Sequence, residues 1–341
     1  IKEAKPMSRT FIPAGYVSPL NLYDTQSAIA LIKHTFQDAL EDLLQLKRVS
    51  APLFVDPSQG LNDNLNGVER PVCFDIPQAH LTGEVVHSLA KWKRYALHRY
   101  GFHPGKGLYT DMNAIRRGER LDNLHSVYVD QWDWEKIITP EQRNEAFLRI
   151  TVQSIVDGLC YTNSVLRARY PQLHTQIEQK VTFITAQELL DKYPALSPKE
   201  RETAFCREYG TVFVQGIGNK LSNGLPHDGR APDYDDWPLN GDILCYYPLL
   251  DTAFELSSMG IRVDPVSLKR QLTLSGCEER AKLPFHQALL EGKLPLTMGG
   301  GIGQSRLCMF ILGKAHIGEV QSSLWDETTL TACEAAGVTL L

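Results

Sequence analysis

Five carboxylates stand out in a short reach of chain: Asp233, Asp235 and Asp236 in "APDYDDW", Asp242 in "NGDILCYY" and Glu255 in "AFELSS". Hard oxygen donors in such numbers suit Mg2+, which keeps several of its waters and is shared with substrate phosphates. Asp233 and Asp236 read equally well as a solvated acidic turn. Asp242 and Glu255 sit in otherwise apolar runs, where an unpaired charge is costly, so they are the stronger metal-ligand candidates. Glu255 and Arg262 are seven apart, which sends them to opposite faces of a regular strand; serving one pocket would require a bulge, expected near Gly260 in "SSMG". In "SVYVDQWDWE" alternation puts Gln131, Asp133 and Glu135 on one face, either toward solvent or along a polar pocket. Lys93, Arg116, Arg262 and Arg306 lie far apart in the chain. Singly each reads as a surface charge. Together with the carboxylates they fit a nucleotide-activating site, with arginine forks on phosphates and a lysine on a substrate carboxylate.

Arg306 follows "TMGGGIGQ", a run of three glycines and a fourth two residues later, ahead of an apolar helical stretch. It is not a P-loop, because no Gly-Lys-Ser/Thr tripeptide occurs. Nor is it a dinucleotide fingerprint: frames beginning at Gly299 and Gly301 put Gln304 and Arg306 where the third glycine belongs. Two readings remain. The glycines let a helix pack on a sheet, or they form a turn over Gly299 to Gly303 that approaches a ligand closely and projects Arg306 from a helix start.

The elements that would carry these residues are legible in outline. "DTQSAIALIKHTFQDALEDLLQL" has apolar residues at helical spacing after Asp, Thr and Ser capping candidates. A β-rich stretch follows in "RVSAPLFV", "PVCFDI" and "GEVVH", then the helix "SLAKWKRYALHRYG". "GLYTDMNAI" and the strand bearing Gln131 flank the charged loop "RRGERLDNLH". A long helix over 141–169 precedes "VTFIT", two short helices, "TVFVQGI", the two carboxylate-bearing strands and the glycine-rich turn. Short connections between strands favour an α+β fold with a mainly antiparallel sheet flanked by helices.

The 341 residues carry a formal net charge of -5, which offers no broad basic surface for a nucleic acid. No apolar run has the roughly 18 residues a membrane span needs, and the first residues lack an apolar signal core, so cytoplasmic residence is expected. Seven cysteines without a C-x-x-C pair read as reduced structural thiols.

Several long blocks, "GEVVHSLAKWKRYAL", "GLYTDMNAIRRGERLDNLHSVYVDQWDWE", "RAPDYDDW", "LNGDIL", "DTAFELSSMGIRVD" and "GGGIGQSRL", closely resemble the ammonia-dependent asparagine synthetase family. The resemblance runs from Tyr23 to the C-terminus, so the organisation it implies is an N-terminal extension over 1–22 and one catalytic domain over 23–341. It implies a class II aminoacyl-tRNA synthetase-like catalytic core and a homodimer. The implied reaction joins aspartate, ATP and ammonia, with Mg2+, through a β-aspartyl-adenylate to asparagine, AMP and pyrophosphate. Arg116 and Arg306 are the implied ATP-binding and catalytic arginines, with Gly301 and Gly303 beside them and Asp242 and Glu255 as metal ligands. The loop "IRRGE" lacks the usual acidic residue two after the arginine and offers Glu119 instead. Asp63, Ser88, Lys93, Gln131, Asp133, Asp235, Ser258 and Arg262 are the implied substrate-binding positions. Lys93, also counted as catalytic, and Arg262 would clamp the α-carboxylate so that the β-carboxylate reacts. Ammonia rather than glutamine is expected as nitrogen donor, the first cysteine being Cys73.

Overall fold

The computed structural model describes residues 10–63 and 69–341. The "NLNGV" portion following Asp63 and the first nine residues therefore lie outside the described residues. In chain order the elements are α1 (Leu22–Leu44), β1 (Leu46–Arg48), β2 (Phe54–Val55), β3 (Cys73–Ile76), β4 (Leu81–Val85), α2 (Ala90–Arg99), β5 (Gly107–Ile115) and β6 (Tyr128–Ile137). Then come α3 (Glu145–Arg169), β7 (Thr182–Thr185), α4 (Ala186–Lys192), α5 (Pro198–Tyr209), β8 (Thr211–Gln215), β9 (Asp235–Tyr247) and β10 (Thr252–Arg262). The chain closes with α6 (Pro265–Leu274), α7 (Pro284–Leu290), β11 (Thr297–Gly303), α8 (Gln304–Leu312) and α9 (Glu327–Ala335).

Eight strands form one sheet in the order β1-β5-β6-β11-β10-β9-β8-β7, and β2-β4-β3 form a small second sheet. The pairings inside the large sheet are antiparallel, and only its two outermost pairs, β1 with β5 and β7 with β8, run parallel. The expected α+β class holds. One face of the sheet is covered by α1, α3 and α8: Phe36 of α1 meets Trp132 of β6 at 5.0 Å between ring centroids, and Phe310 of α8 meets Phe254 of β10 at 5.3 Å. Even-numbered Trp132 and Trp134 thus point into the core while odd-numbered Gln131, Asp133 and Glu135 point to the opposite face. That second face holds the polar groups.

Three details differ from the sequence reading. The first helix begins at Leu22, and its cap is Asn21, whose side chain accepts the Asp24 N–H at 2.8 Å. "RVSAPLFV" is not one strand: Pro52 interrupts it, and its two ends join different sheets. Residues 299–303 are not a turn but most of β11, a central strand paired on both sides.

The described part of the leading segment packs against distant parts of the chain. Asn123 bonds the Phe11 backbone through both its amide oxygen and nitrogen, at 3.0 and 2.7 Å, and Tyr16 donates to Glu319 at 2.8 Å.

Asp233 and Asp236 are buried, so the solvated-turn reading fails for both. Asp233 accepts from Lys91 Nζ at 3.1 Å and His286 Nε2 at 2.9 Å, with Arg280 at 3.4 Å, while Asp236 is held by Arg143 and Arg270. Burial opposes ionisation of Asp233, yet Lys91, His286 and Arg280 outweigh it and hold the carboxyl far below its usual range. A depressed carboxyl stabilises the fold above its unfolded-state pKa of about 4, and that contribution fades as pH falls. Asp233→Asn should therefore lower stability by about 3–5 kcal/mol at neutral pH, since it strands buried cations. Denaturant titrations at pH 7 and pH 4 check this: the gap between variant and wild type should narrow at the lower pH.

Candidate active site

The polar face of the sheet forms the floor of a cavity of about 400 Å³. Its lining gathers Asp63, Ser88, Arg116, Gln131, Asp133, Asp235, Glu255, Ser258, Arg262, Gly301, Gly303 and Arg306 from seven separate stretches of chain. Two of the site residues that the resemblance implies are not on its wall. They are Lys93 and Asp242.

Glu255 and Arg262 share the cavity because β10 carries one extra residue. Its register against β9 slips between Glu255 and Ser257, so Glu255, Ser258, Gly260 and Arg262 all face the site while Met259 and Ile261 enter the core. The bulge lies at Leu256, before "SSMG" rather than at Gly260. Gly260 has a different reason to be glycine: a Cβ there would stand 2.7 Å from Asn240 Cβ. The second register shift, between Gly260 and Arg262, puts its extra residues on β9.

The glycine run is explained by what crosses over it. In β11, Gly299 is flanked by Glu135 and Gly260, and Gly301 by Asp133 and Ser258. A Cβ on Gly299 would collide with the Glu135 carboxylate and stand 2.7 Å from Arg262, and one on Gly301 would collide with the Gln131 amide. None of these glycines has a positive φ. They are required for space, so that buried polar side chains can meet across the strand.

At this end of the cavity Arg262 is held from two sides. Glu135 accepts from its Nε at 3.0 Å and from one Nη at 2.8 Å, and Asp235 accepts from the other Nη. Burial disfavours the charge on Glu135, but Arg262 and Lys93 together outweigh it and hold the carboxyl below its usual range. Asp235 is pushed upward, with burial as the main cause. Lys93 is wholly buried beneath the floor, where it donates to Asp133, to the Trp134 carbonyl at 2.8 Å and to the Gly300 carbonyl at 3.2 Å. Its three protons are taken, and burial pulls its pKa down. Asp133 also accepts the Leu89 N–H at 3.1 Å, so one carboxylate ties Lys93 to the start of α2. Ser88 donates to Asp63 at 2.8 Å.

Arg116 begins the loop after β5, its backbone N–H bonded to Val127 at 2.8 Å, and Glu119 of the same loop also reaches the lining. Arg306, in the first turn of α8, donates to the Glu255 carbonyl at 3.3 Å and lies 3.7 Å from its carboxylate. Asp242 pairs across the strands with Ser258 and is held by Arg230. Burial pushes the Asp242 carboxyl up to about 6, with Arg230 opposing and Glu255 adding to the rise. Burial opposes ionisation of Glu255 as well, but Arg306, Lys199 and Arg230 win and hold it down, at about 2. The five sequence-adjacent carboxylates thus separate, each to its own cation. Among the described residues no group of three or more His, Cys, Asp or Glu side chains is placed to hold a metal. Of the two carboxylates implied as metal ligands, Glu255 faces the cavity, whereas Asp242 lies off its wall and is engaged by Arg230.

Sequence reasoning left three residues unassigned that matter here: Glu135 under Arg262, Arg230 on Asp242, and His125, whose Nδ1 lies 2.8 Å from Asp122 and which lines the cavity. Arg230 opened a motif block; nothing local marked it or His125.

A central antiparallel sheet with arginines over its polar face defines a class II aminoacyl-tRNA synthetase-like catalytic domain. The structure is similar to asparaginyl-tRNA synthetase from Pyrococcus horikoshii complexed with asparaginyl-adenylate (TM-score 0.64, 14% identity, covering 89% of this chain and 70% of that one). It is also similar to aspartyl-tRNA synthetase from Entamoeba histolytica (TM-score 0.58, 15% identity, 90% and 58%). The sequence narrows the class. The aspartate-ammonia ligase family model matches residues 23–337. Proteins named aspartate–ammonia ligase are 60% identical in Clostridium perfringens and 56% identical in Lactobacillus acidophilus, each alignment covering 98% of this chain and the whole relative. The chain belongs to the aspartate-ammonia ligase family and is a ligase.

The glycine geometry separates two effects. Gly301→Ala displaces only the end of a flexible Gln131 side chain, so the protein should fold normally while aspartate binding weakens at least tenfold, by the roughly 1.4 kcal/mol or more that one disturbed polar contact is worth. Gly299→Ala meets the backbone carbonyl of Trp134 at 2.6 Å and should instead lower the melting temperature. Thermal unfolding and aspartate calorimetry on both variants decide it; reversal of the two phenotypes would refute the assignment.

Proposed function

We propose that this enzyme amidates L-aspartate with ammonia by first transferring an adenylyl group from ATP to the β-carboxylate, releasing pyrophosphate, and then AMP as asparagine forms. The observation that carries the reading is one continuous cavity. It has a compact acid–base cluster of Asp63, Gln131, Asp133, Asp235 and Arg262 at one end and Arg116 with Arg306 at the other. A dicarboxylic amino acid needs an anion partner for its ammonium and a cation for the carboxylate that must not react; a nucleoside triphosphate needs arginines.

Arg262 is the cation available to the α-carboxylate. Lys93, read from the sequence as its partner, can join only by exchanging Asp133 for the substrate, because its donors are occupied. It acts from beneath, orienting Asp133. Asp63, fixed by Ser88, and Asp133 offer negative charge to the α-ammonium. With the α-end held, the β-carboxylate faces the arginines. One carboxylate oxygen then attacks the α-phosphorus, the bond to the β-phosphate breaks, and pyrophosphate leaves with the electron pair. Ammonia adds to the activated carbonyl, loses a proton and expels AMP. Asp242 and Glu255 would hold Mg2+, which would neutralise charge on the triphosphate. The class II-like architecture supports a homodimer of single catalytic domains, and the residues named are the ones we assign to the site.

Aspartate, MgATP and ammonium should yield asparagine with AMP and pyrophosphate in equal amounts by phosphorus NMR; ADP and phosphate would overturn the adenylate route. Asp242→Asn and Glu255→Gln should each raise the Mg2+ concentration needed for half-maximal rate. Unchanged Mg2+ dependence in both variants would return these residues to a structural role.

A further inference from the structure

Arg230 lies on the cavity wall and pairs with Asp242. It sits on the connection from β8 to β9, which carries no helix and only one isolated bridge, Lys220 with Pro226. That connection is nonetheless a fixed wall. His227, three residues earlier, is buried and bonded to Glu202 of α5 at 2.8 Å, while the Ala231 carbonyl accepts Trp237 Nε1 at 3.3 Å and the Tyr234 carbonyl accepts the Val263 N–H at 2.8 Å. Asp228, Gly229, Arg230 and Ala231 therefore face the site in a set conformation.

The sheet register locates the guanidinium. Arg230 donates to Asp242, and Asp242 pairs across the strands with Ser258. Glu255, beside Arg306, is three positions from Ser258 along β10, and Arg262, beside Asp235, is four positions away on the other side. At about 3.4 Å per residue, Arg230 thus stands roughly 10 to 14 Å along the strand from either end. It is midway between the arginine that faces phosphate and the one that faces the amino acid. Its Nε is buried without an acceptor, so part of its donor capacity is unused. Asp242 and Glu255 outweigh its burial and keep it charged.

We propose that Arg230 is a further catalytic residue, donating to the α-phosphoryl oxygens as the aspartate β-carboxylate attacks phosphorus and the bond to pyrophosphate breaks. The inference rests on the adenylate reading above. A fork at mid-cavity meets the group where negative charge accumulates when the two substrates join, and a fixed backbone spares reorganisation at that moment. No proton moves in this step; the electron pair of the broken P–O bond departs with pyrophosphate.

The test is aspartate-dependent exchange of labelled pyrophosphate into ATP, read beside calorimetric binding of each substrate. Arg230→Ala should lower the saturated exchange rate by about 10²–10³-fold, while the dissociation constants for ATP and aspartate change less than about threefold. Arg230→Lys should remain slow, because a point charge lacks the fork, and added guanidinium ion should partly restore Arg230→Ala. Should Arg230→Ala fail to fold, Arg230→Gln, which keeps most of the volume, carries the same expectation. If Arg230 only neutralises Asp242, its replacement in an Asp242→Asn background will be harmless, and that result would overturn the proposal. So would a wild-type exchange rate in the single variants, or a loss confined to ATP binding. Wild-type protein that shows no aspartate-dependent exchange would instead sink the adenylate reading itself.

Discussion

Everything at the Arg262 end of the cavity hangs on one buried contact, the double hydrogen bond from Arg262 to Glu135 across β11. Two ionised groups taken out of water need partners on every side, and a bare pair would lose more in desolvation than it gains. The fold meets this demand with neighbours: Asp235 on the far side of Arg262, and Lys93 at 3.7 Å from Glu135 with Asp133 beyond it. The glycines of β11 follow from the same constraint. A side chain at Gly299 would occupy the volume in which the carboxylate and guanidinium meet.

A chain of alternating charges therefore dips beneath the floor and returns to the cavity. Asp133, Lys93, Glu135, Arg262 and Asp235 hold one another in that order; Asp133, Arg262 and Asp235 touch the lining, while Lys93 and Glu135 lie beneath it. Such a network keeps its shape before a ligand arrives, which lowers the entropy lost on binding. At the other end Arg306 has only a carbonyl at 3.3 Å and a carboxylate at 3.7 Å. Weaker internal ties leave its guanidinium less committed. Under the proposed function the difference would suit a small amino acid that must be oriented and a triphosphate that brings its own charge.

Asp233 shows that a carboxylate one residue from a site can serve the frame. Its partners come from α2, from α7 and from the segment before α7, so it fastens three separate stretches to the segment that leads into β9. The likeness to tRNA synthetases at 14–15% identity lies in the frame, and membership of the ligase family comes from the sequence across nearly the whole chain. A shared sheet can hold different chemistry, since chemistry belongs to the side chains placed upon it.

Local pattern alone determined much of the outline. Alternation in 128–137 correctly put Gln131, Asp133 and Glu135 on one face, and the apolar spacing of α1 and α3 marked the helices that cover the other. The motif blocks identified the family and nominated site residues most of which line the cavity. Tertiary structure decided the rest, because it depends on what lies opposite. Whether Asp233 faced water, whether Lys93 reached the cavity, and why Gly299 to Gly301 carry no side chain were questions about partners from 40 to more than 200 residues away. The bulge at Leu256 is of the same kind: no residue type announces it, and it exists because β10 must keep one face in the core while presenting both Glu255 and Arg262 to the site. Spacing along a chain sets the face on which a side chain emerges, but only pairing and packing across the sheet set what it meets there.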